Sequence, residues 1–494
     1  MKKYLLGIDV GTTGTKTLLF TEDGEPVAHA YRPYPLSTPR VFESEQEPSD
    51  WWRAIVETVR EVTESVGCQG AVAAISLSTQ GGTLVPVDER GEPLRPAIVW
   101  NDNRYADEGR ELYFKEVGDA DSLYYKTGWR LGRGLPLLSI RYLKEKEPEI
   151  FSRTDKFLST ASYVAYKMTG KAEVDISNAG IEQLVDIRKF KYDEKLLAFA
   201  GITEGQLAKP VKSGTVIGNL TKDAAAELGL SENTLLVAGA HDQYAVSLGA
   251  GSVSAGDILI GSGTCWVVTA SGDREDFDSG FAQSVAAVPG LWGTLRSLSS
   301  GGVCLEWLRK NIAIGDGCDP IGYEKINSEV CDLKAAEDGL FFYPFKGIYG
   351  SGAFNKGAFV GMDLSHNKYH LAKAVMEGVV FQILWMMEKF KTKPSIDGLK
   401  LSGGASKSEV WTQILADVSG LFVRVPRLAD LACVGAAVLA GLGAGMYSDC
   451  KEGYERFKVP ETVIEPNPEK SAKYKLLFEK YKKQAEALGS SYLL

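Results

Sequence analysis

Two stretches of the chain repeat one local pattern: a strand, a short turn rich in glycine and hydroxyl residues, and a second strand. The first is "KYLLGIDVGTTGTKTLLF" at 3–20, and the second is "DILIGSGTCWVVTA" at 257–270. Apolar, β-prone runs on either side of such a turn are typical of a β-hairpin. Because each hairpin opens one half of the chain, we expect two domains of similar construction. Their boundary is predicted near 245–256, where the chain is rich in glycine and serine.

The segments after the second hairpin alternate between helix and strand. Apolar residues at helical spacing predict a long helix over 369–390, and "GLKLSGGASKS" at 398–408 predicts a strand that enters a glycine turn. A further helix is predicted over 408–420, closed by Gly420. Strands that alternate with helices indicate an α/β fold.

The size and composition of the chain restrict the class of protein to which it can belong. With 494 residues the chain exceeds what one hydrophobic core usually serves, and its 44% apolar and 24% charged residues are ordinary for a globular protein. The net charge of −9 argues against nucleic acid as the main partner, since phosphate backbones require clustered lysine and arginine. None of the seven cysteines lies in a CxxC pair, so neither a disulfide framework nor a zinc site is predicted.

The apolar stretches of the chain favour a cytoplasmic protein that does not bind a membrane. The first apolar run meets Asp9 and Gly11 too early for the hydrophobic region of a signal peptide. The uncharged segment 431–447 is short for a membrane span and rich in alanine and glycine, so we predict a close-packed core helix there. Reduced thiols in the cytoplasm are the simplest interpretation of the scattered cysteines.

Three glycine-rich turns are candidates for holding a nucleotide. At 11–15 and 261–264, small residues let backbone N–H groups approach a phosphate without obstruction, and the turn at 402–406 could lie against a flat base or a ribose. One such turn alone is more often ordinary, but three at strand ends favour a nucleotide site, although no P-loop or GxGxxG motif is present. The residues predicted to contact the nucleotide are Gly11, Thr12, Thr13, Thr15, Lys16, Gly261, Ser262, Gly263, Thr264, Gly403, Gly404, Ala405 and Ser408.

Two acidic residues, Asp9 and Asp242, lie at positions where a carboxylate has either a structural or a catalytic role. Asp9 directly precedes the first turn, where it either helps to place Mg²⁺ beside phosphate groups or caps the hairpin; the spacing leaves both open. Asp242 lies between His241 and Gln243 in a mostly apolar run, where an unpaired charge is costly to bury. From the residues alone, Asp242 is a structural hydrogen-bond acceptor, a metal ligand or a catalytic base.

The segment "GAFVGMDLSHNKYHLAKAVME" at 357–377 strongly resembles the C-terminal signature of the FGGY family of carbohydrate kinases. The matching residues are Gly357, Phe359, Gly361, Met362, His370, Leu371, Ala374 and Glu377. The start "GIDVGTTGTKTLLF" and the later "LSGGASKSEVWTQILADVSG" are similar to the phosphate and adenosine motifs of the family. Three further stretches, "ESEQEPSDWW", "LRPAIVWNDNR" and "EPEIF", look like parts of xylulokinases. The resemblance spans residues 4–445.

The resemblance implies the two-domain α/β fold of the actin/hexokinase/Hsp70 superfamily, which is ribonuclease H-like. Each domain is then a mixed β-sheet flanked by helices, with a cleft between the domains. Residues 1–245 are expected to bind the sugar, and residues 246–494 to bind ATP. The implied cofactors are ATP and Mg²⁺. The expected partners are a small sugar or polyol, without nucleic acid or membrane, and a homodimer is one assembly open to the chain.

The resemblance also implies a role for each candidate residue. Members of the family carry Gly-Asp-Asn or Gly-Asp-Gln where this chain has His241-Asp242-Gln243, and that aspartate is their general base. Transfer of a phosphoryl group from ATP to a hydroxyl needs positioning, Mg²⁺ and a proton acceptor, so Asp242 is expected to accept the proton and Asp9 to help hold Mg²⁺. The residues expected to contact the sugar are Thr79, Gln80, Gly81, Trp100, Asn101, Asp102, Arg104, His241 and Gln243.

Several departures from the xylulokinase pattern bear on the substrate. Xylulokinases have Gln-Met-His-Gly at the sugar turn, where this chain has Ser-Thr-Gln-Gly at 78–81. Ser139 and Tyr142 replace the Lys and Trp of the N-terminal signature, and a Gly-Glu-Arg-Thr-Pro stretch is missing around 344–357. A ketopentose such as xylulose is the first expected substrate. Glycerol, erythritol or gluconate is the alternative, and an actin- or Hsp70-like ATPase or a non-catalytic sugar sensor is less favoured.

Overall fold

The computed structural model describes residues 2–132, 134–315, 319–345, 356–395, 398–428 and 430–491. The chain divides into two units by its own contacts. The first unit is Met1–Ser254, Ser271–Gly293 and Leu428–Val459, and the second is Ala255–Ala270, Thr294–Arg427 and Pro460–Leu494. The sequence predicts two domains, 1–245 and 246–494, each of which is one continuous segment, whereas each unit contains three segments. The predicted domain bounds stay a prediction. Most of the stretch around 344–357 lies outside the described residues.

The strands and helices follow one another as an α/β chain. The strands are β1 (Tyr4–Val10), β2 (Gly14–Thr21), β3 (Pro26–Pro33), β4 (Glu45–Gln46), β5 (Val72–Thr79), β6 (Val85–Val87), β7 (Ala97–Ile98), β8 (Lys156–Leu158), β9 (Glu173–Asp175), β10 (Val185–Asp186), β11 (Lys191–Tyr192), β12 (Lys209–Val211), β13 (Val216–Asn219), β14 (Leu235–His241), β15 (Ile258–Ser262), β16 (Trp266–Gly272), β17 (Ala282–Val285), β18 (Trp292–Leu298), β19 (Phe341–Tyr343), β20 (Ala358–Val360), β21 (Leu399–Gly403), β22 (Val423–Pro426) and β23 (Glu461–Ile464). The helices are α1 (Pro48–Val66), α2 (Ala106–Glu116), α3 (Ala120–Thr127), α4 (Pro136–Lys146), α5 (Pro148–Arg153), α6 (Thr160–Thr169), α7 (Ile176–Ile181), α8 (Glu194–Ala200), α9 (Lys222–Leu228), α10 (Asp242–Gly249), α11 (Gly302–Asn311), α12 (Tyr323–Val330), α13 (Lys368–Met387), α14 (Glu409–Ser419), α15 (Leu431–Gly443), α16 (Cys450–Phe457) and α17 (Pro468–Ser491).

The main sheet of the first unit has six strands in the order β13-β14-β5-β1-β2-β3. Strands β14, β5 and β1 run parallel, whereas β2, β3 and β13 pair antiparallel with their neighbours. The predicted hairpin at 3–20 is the pair β1–β2. The register sets Val10 beside Thr79 and Thr79 beside His241. The carboxyl ends of the three parallel strands therefore meet at one edge of the sheet.

Helices α10 and α15 pack against each other with their backbones in direct contact. A Cβ atom on Gly435 would lie 2.0 Å from the carbonyl oxygen of Ala245, and one on Gly249 would lie 1.9 Å from that of Leu431. No larger residue fits at either position, so the two glycines allow this close approach. Helix α15 is buried along nearly its whole length, which confirms the predicted core helix in 431–447.

The second unit is built on a similar sheet. The predicted hairpin at 257–270 is the antiparallel pair β15–β16, and β21 lies parallel to β15 on its other side, followed by β22 and β23. The first unit has the same arrangement in β2, β1 and β5, so the predicted repetition of one construction is confirmed. Among the described residues, no helix combines the length and apolar character that a membrane span needs.

Candidate active site

The sheet edge formed by β1, β5 and β14 brings together three segments that the sequence had singled out. Strand β1 carries Asp9 and leads into the turn at 11–13, β5 ends at Thr79, and β14 ends at His241. Helix α10 begins at the next residue, Asp242. Ligands of open α/β sheets commonly bind outside the carboxyl ends of the parallel strands. This edge is the candidate site of the first unit.

The turn at 11–13 turns its carbonyl groups inward and leaves N–H groups available. The Tyr34 hydroxyl donates to the carbonyl of Gly11 at 2.6 Å, and Gln46 Nε2 donates to the carbonyl of Thr12 at 2.7 Å. In a trans peptide the N–H points opposite to the C=O, so the N–H groups of Thr12 and Thr13 point away from these donors. Neither N–H has an acceptor among the described residues. Such paired free N–H groups suit an anion.

The strand after this turn carries two further residues predicted to contact the nucleotide. Thr15 is fully buried, and its hydroxyl lies 3.5 Å from that of Tyr34. Lys16 Nζ lies 2.8 Å from Asp430 Oδ1, and the lysine side chain is 41% exposed. Thr15 therefore supports the hairpin, whereas the Lys16 side chain is partly exposed with its ammonium paired to Asp430. Contact of either residue with the nucleotide stays a prediction.

Asp9 is a half-buried carboxylate in a locally acidic setting. Burial raises the pKa of Asp9 to about 6; the Ser78 hydrogen bond lowers it, the carboxylates of Asp242 and Asp430 raise it, and Lys16 lowers it. The Ser78 hydroxyl donates to Asp9 Oδ1 at 2.7 Å. The part of the chain that the structure describes holds no group of three or more His, Cys, Asp or Glu side chains suited to a metal. Mg²⁺ needs few protein ligands, so a single carboxylate such as that of Asp9 suits it.

Asp242 presents a partly exposed carboxylate from a fixed backbone position. It is the first residue of α10, where the helix dipole favours a negative charge, and its side chain is 32% exposed. The Nε2 atom of the nearly buried His241 lies 3.3 Å from Asp242 Oδ1. The backbone N–H of His241 donates to the Ser177 hydroxyl at 2.9 Å. His241 is held at the end of β14, and α10 begins at Asp242. The end of the strand and the start of the helix therefore fix the backbone position of the carboxylate.

The predicted sugar turn at 79–81 packs against the histidine beside this carboxylate. A Cβ atom on Gly81 would lie 2.4 Å from His241 Cδ2, so only glycine fits there. The hydroxyl of Thr79 and the Nδ1 atom of His241 are both buried without a hydrogen-bond partner in the described part of the protein. A hydroxyl and an imidazole nitrogen can each form a hydrogen bond with a sugar hydroxyl. Thr79, Gly81 and His241 are thus brought together with Asp242.

Gln80 and Trp100, both predicted to contact the sugar, bond to the phosphate-type turn instead. Gln80 Oε1 accepts a hydrogen bond from the Thr12 hydroxyl at 3.1 Å, and Gln80 Nε2 donates to Gln46 Oε1 at 2.9 Å. Trp100 Nε1 donates to the Thr12 hydroxyl at 3.0 Å, and the tryptophan side chain remains exposed at the surface. The predicted sugar contacts of these two residues stay predictions.

The segment 101–104 is dominated by an internal ion pair. Asp102 is buried and accepts from the backbone N–H of Ser44 at 2.7 Å and from Arg104 Nη2 at 2.8 Å. Burial alone would lower the pKa of Arg104, but hydrogen bonds to Asp102 and Glu45 raise it above its ordinary value. Asn101 Oδ1 is buried without a partner among the described residues. Asp102 and Arg104 therefore hold the loop, and the sugar contacts of 101–104 stay predictions, as does that of the half-exposed residue at 243.

The turn at 263–265 in the second unit resembles the 11–13 turn in how its carbonyl and N–H groups are arranged. The N–H groups of Gly302 and Val303, at the start of α11, donate to the carbonyls of Gly263 and Thr264, each at 3.2 Å. The next N–H groups along the turn, those of Thr264 and Cys265, then point the other way. They have no acceptor in the described ranges, and the turn is exposed.

The glycine turn after β21 lies directly beside the end of β15. Gly403 has a φ of 91°, and a Cβ atom there would lie 2.8 Å from the Ser262 backbone. The N–H of Gly404 donates to the Ser262 carbonyl at 2.6 Å, and that of Ala405 donates to the Ser262 hydroxyl at 3.1 Å. Gly261 is next to Ser262 in β15, so all of these predicted nucleotide contacts come together. Both exposed turns therefore lie at the carboxyl ends of adjacent parallel strands.

Ser408 has a different surrounding from the other predicted nucleotide contacts. Its hydroxyl accepts from the backbone N–H of Trp411 at 3.1 Å, which caps α14, and donates to Asn327 Oδ1 at 2.8 Å. A serine at this position is a common way to satisfy the first N–H groups of a helix. The nucleotide contact of Ser408 stays a prediction.

Models of one family match the chain over most of its length. The FGGY family of carbohydrate kinases matches with its N-terminal domain at residues 4–249 and with its C-terminal domain at residues 256–444. The chain belongs to the FGGY family of carbohydrate kinases. The predicted family, the kinase activity and the two-domain actin/hexokinase-like fold are thereby confirmed.

Individual relatives of this carbohydrate kinase differ in the substrate that they are named for. The chain is 28% identical over 460 residues to a gluconokinase of Bacillus subtilis (strain 168), covering 90% of this chain and 88% of the relative. It is 29% identical over 491 residues to the xylulose kinase of the same organism, covering 97% and 96%. The crystal structure of xylulose kinase from Rhodospirillum rubrum superposes with a TM-score of 0.90 at 25% identity, covering 100% of both chains.

Sequence reasoning missed three residues that shape the site of this carbohydrate kinase. Gln46 lies within a stretch that resembles the family, yet nothing in the spacing links it to the 11–13 turn. Tyr34 follows β3, and its bond to Gly11 depends on the pairing of β2 with β3. Asp430 reaches Lys16 from the start of α15. An acid directly before an apolar helix was the one available signal.

Proposed function

We propose that this carbohydrate kinase transfers the terminal phosphoryl group of ATP to a hydroxyl of a small neutral sugar or polyol, with Asp242 as the general base. A ketopentose such as xylulose is the first candidate substrate. One observation carries the proposal: the partly exposed Asp242 lies at the start of α10, on the sheet edge that also presents the free N–H groups of the 11–13 turn.

The chemistry assigned to Asp242 follows from the nature of the acceptor. A carboxylate is too weak a base to ionise an alcohol in advance. It can orient the hydroxyl and collect the proton while the new O–P bond forms, which speeds such a step by about 10²–10⁴-fold. The proton moves from the sugar hydroxyl to a carboxylate oxygen of Asp242, and ADP leaves with the bonding electrons of the broken P–O bond.

A glycine turn in each unit is proposed to bind phosphate. The 11–13 turn offers N–H groups for the terminal phosphate, and the 263–265 turn offers N–H groups for the remaining phosphates. The backbone at Gly403 and Gly404 is exposed, and it is proposed to lie against the base or the ribose of the nucleotide. Water must be excluded from the transferred phosphoryl group, because it otherwise competes with the sugar as the acceptor.

Mg²⁺ is proposed to be held on the side of Asp9. The residues fit such a cation, because Asp9 is a carboxylate whose pKa is raised first by burial and further by the nearby carboxylates of Asp242 and Asp430. When bound, Mg²⁺ neutralises charge on the phosphate oxygens. Asp9 would hold the ion, and the Ser78 hydroxyl, which donates to Asp9 Oδ1, would keep the carboxylate oriented for it.

The charges of the site favour a neutral substrate over a sugar acid. Of the site residues named above, the two cations are already paired, Lys16 with Asp430 at 2.8 Å and Arg104 with Asp102 at 2.8 Å. A carboxylate on the substrate would have to compete with these partners. Gluconate remains the second candidate, because a gluconokinase is among the relatives that cover most of the chain.

A substrate panel tests the proposal directly. ADP release is measured with ketoses, with polyols such as glycerol and erythritol, with sugar acids such as gluconate, and without any acceptor. We expect release that depends on a neutral sugar or polyol. Equal release without an acceptor would indicate an ATPase, and binding of a sugar without turnover would indicate a sensor; either result contradicts the proposed function.

A further inference from the structure

A closed ring of hydrogen bonds joins the predicted sugar turn to the phosphate-type turn. The Thr12 hydroxyl donates to Gln80 Oε1 at 3.1 Å, Gln80 Nε2 donates to Gln46 Oε1 at 2.9 Å, and Gln46 Nε2 donates back to the Thr12 carbonyl at 2.7 Å. Gln46 and Gln80 are only 3% and 2% exposed. The ring thus lies inside the first unit, behind the turn rather than on its open face.

The donor and the acceptor of every hydrogen bond in the ring are fixed by neighbouring groups that can only donate or only accept. The Thr12 carbonyl can only accept, so Gln46 must present its Nε2 there and its Oε1 to Gln80. Gln80 must then present Nε2 to Gln46 and Oε1 to the Thr12 hydroxyl. The indole N–H groups of Trp51 and Trp100 only donate, and they bond to Gln46 Oε1 at 3.3 Å and to the Thr12 hydroxyl at 3.0 Å. All five bonds are therefore mutually consistent.

The ring determines where the phosphate-type turn points its N–H groups. The bond from Gln46 holds the Thr12 carbonyl inward, and the N–H of Thr13 belongs to the same peptide plane and points outward. Gln80 in turn holds both the Gln46 amide and the Thr12 side chain. Rotation of this peptide would replace an N–H by a carbonyl oxygen, which repels phosphate.

We infer that Gln46 and Gln80 are positioning residues for the terminal phosphate of ATP, acting through Thr12. Gln80 lies in the sugar turn between Thr79 and Gly81, so the same side chain ties the sugar turn to the phosphate turn. The sequence alone predicts a different role for Gln80, a direct sugar contact. The inference rests on the proposed function, because it takes the 11–13 turn as the place of that phosphate.

The two roles of Gln80 predict different kinetics, and Q80L with T12V separates them. T12V removes only the hydroxyl that bonds to Gln80 and Trp100, at an exposed turn. If Gln80 acts through Thr12, each variant lowers kcat/KM for ATP by about tenfold, the worth of one or two lost hydrogen bonds. The KM for the sugar stays within about twofold of the unmodified value, because neither substitution alters the binding of the sugar. The affinity of both variants for AMP, which lacks the terminal phosphates, equals that of the unmodified protein.

A double-variant cycle and a conservative rescue complete the test. In Q80L/T12V the losses should not multiply, because both variants break the same bond. T12S keeps a hydroxyl and should retain at least about fivefold more activity than T12V. Q382L removes an equally buried glutamine amide, bonded to Tyr481, far along the chain in the second unit. That control should lower stability without changing the ATP or sugar parameters.

The inference is overturned if Q80L raises the KM for the sugar and leaves kcat/KM for ATP unchanged, or if the losses in Q80L/T12V multiply. Should Q80L fail to fold, T12V and T12S still test the bond to Gln80 from its other end, and an unchanged kcat/KM for ATP in T12V overturns the inference. Full activity of D242N would overturn the proposed function alone, because the effect of the ring on ATP would still be measured.

Discussion

Asp9 illustrates, at the scale of a residue, how a site can be favourable for chemistry and unfavourable for stability. Its pKa is raised to about 6, first by burial and further by the nearby Asp242 and Asp430. At neutral pH the folded protein therefore holds an ionised carboxylate at a higher free-energy cost than the unfolded chain does, which lowers the free energy of unfolding. A phosphate-bound cation would relieve that cost, which is why strained carboxylates cluster at functional sites.

We predict that D9N is more stable than the unmodified protein and nearly inactive. The neutral amide removes the cost of the ionised carboxylate, so the melting temperature rises at pH 7.5. At pH 5, Asp9 is protonated in the folded state, and the difference in melting temperature shrinks. Thermal unfolding at both pH values, together with ADP release, checks this. A D9N variant that is less stable at pH 7.5, or fully active, contradicts the account of Asp9.

Glu182 offers a matched residue outside the catalytic set. Burial raises its pKa to about 8. As the pH rises from the ordinary value of 4.5 towards 8, the unfolded chain loses this proton while the folded protein keeps it, so the free energy of unfolding falls by up to about 1.4 kcal/mol per pH unit. E182Q cannot ionise. Its stability relative to the unmodified protein should therefore improve from pH 5.5 to pH 7.5, with kcat unchanged. A difference that is constant with pH would contradict the shifted pKa.

At the scale of the element, the two strand–turn–strand hairpins were predictable because their signal is local. Apolar strands on both sides of a glycine turn predict β1–β2 and β15–β16, and the structure confirms both. The helix predicted over 408–420 is α14, which ends at Ser419 before Gly420 in the left-handed conformation. The bonds behind the first turn were not predictable, because Tyr34 and Gln46 are far from that turn in sequence and reach it only in the folded structure.

The family signature at 357–377 acts through structure in the described residues. Asn367 and His370 cap the start of α13, and Glu377 accepts from the N–H of Ala336 at 3.0 Å and from the hydroxyl of Tyr474 at 2.6 Å. These contacts fix a buried helix of the second unit. A motif that is specific for a family can thus identify it without containing the residues that carry out the reaction.

The turn after β21 gives a prediction at this scale. Ala at position 403 must adopt a φ of 91° and bring a Cβ atom to 2.8 Å from the Ser262 backbone, and the left-handed conformation alone costs about 1–2 kcal/mol. We expect G403A to raise the KM for ATP at least about fivefold by shifting the turn, with the KM for the sugar unchanged.

G420A is the matched control for G403A. Gly420 also has a positive φ, of 68°, but a Cβ atom there meets nothing within 4 Å. G420A should therefore cost about 1 kcal/mol of stability and leave the KM for ATP unchanged. Equal effects of the two substitutions on ATP would mean that the turn at 403 has no special relation to the nucleotide.

At the scale of the whole molecule, the repeated construction of the two units was predictable and the path of the chain between them was not. Composition and periodicity identify Leu431–Gly443 as a buried helix, but only packing decides which sheet buries it. The helix lies against α10 of the first unit through Gly249 and Gly435. That contact joins residues far apart in sequence, and it brings Asp430 close to Lys16 and Asp9.

The site of the first unit was only partly predictable for the same reason. Asp9, the 11–13 turn and Asp242 follow from local patterns and from the resemblance to the family. Their convergence depends on the parallel order of β1, β5 and β14, which sets three distant strand ends side by side. Asp102 and Arg104 lie in a pattern that suggests sugar contacts, but they bond to each other at 2.8 Å, a pairing that the sequence does not reveal.

The most direct test of the central claim is single-turnover phosphoryl transfer by D242N, followed by rapid quench with saturating ATP and the best acceptor from the substrate panel. Asn keeps the shape of the side chain but cannot take the proton. The account predicts a transfer rate lower by about 10²–10⁴-fold, with folding and the binding of both substrates retained. A D242N variant that transfers the phosphoryl group within about threefold of the unmodified rate would contradict the assignment of Asp242 as the base.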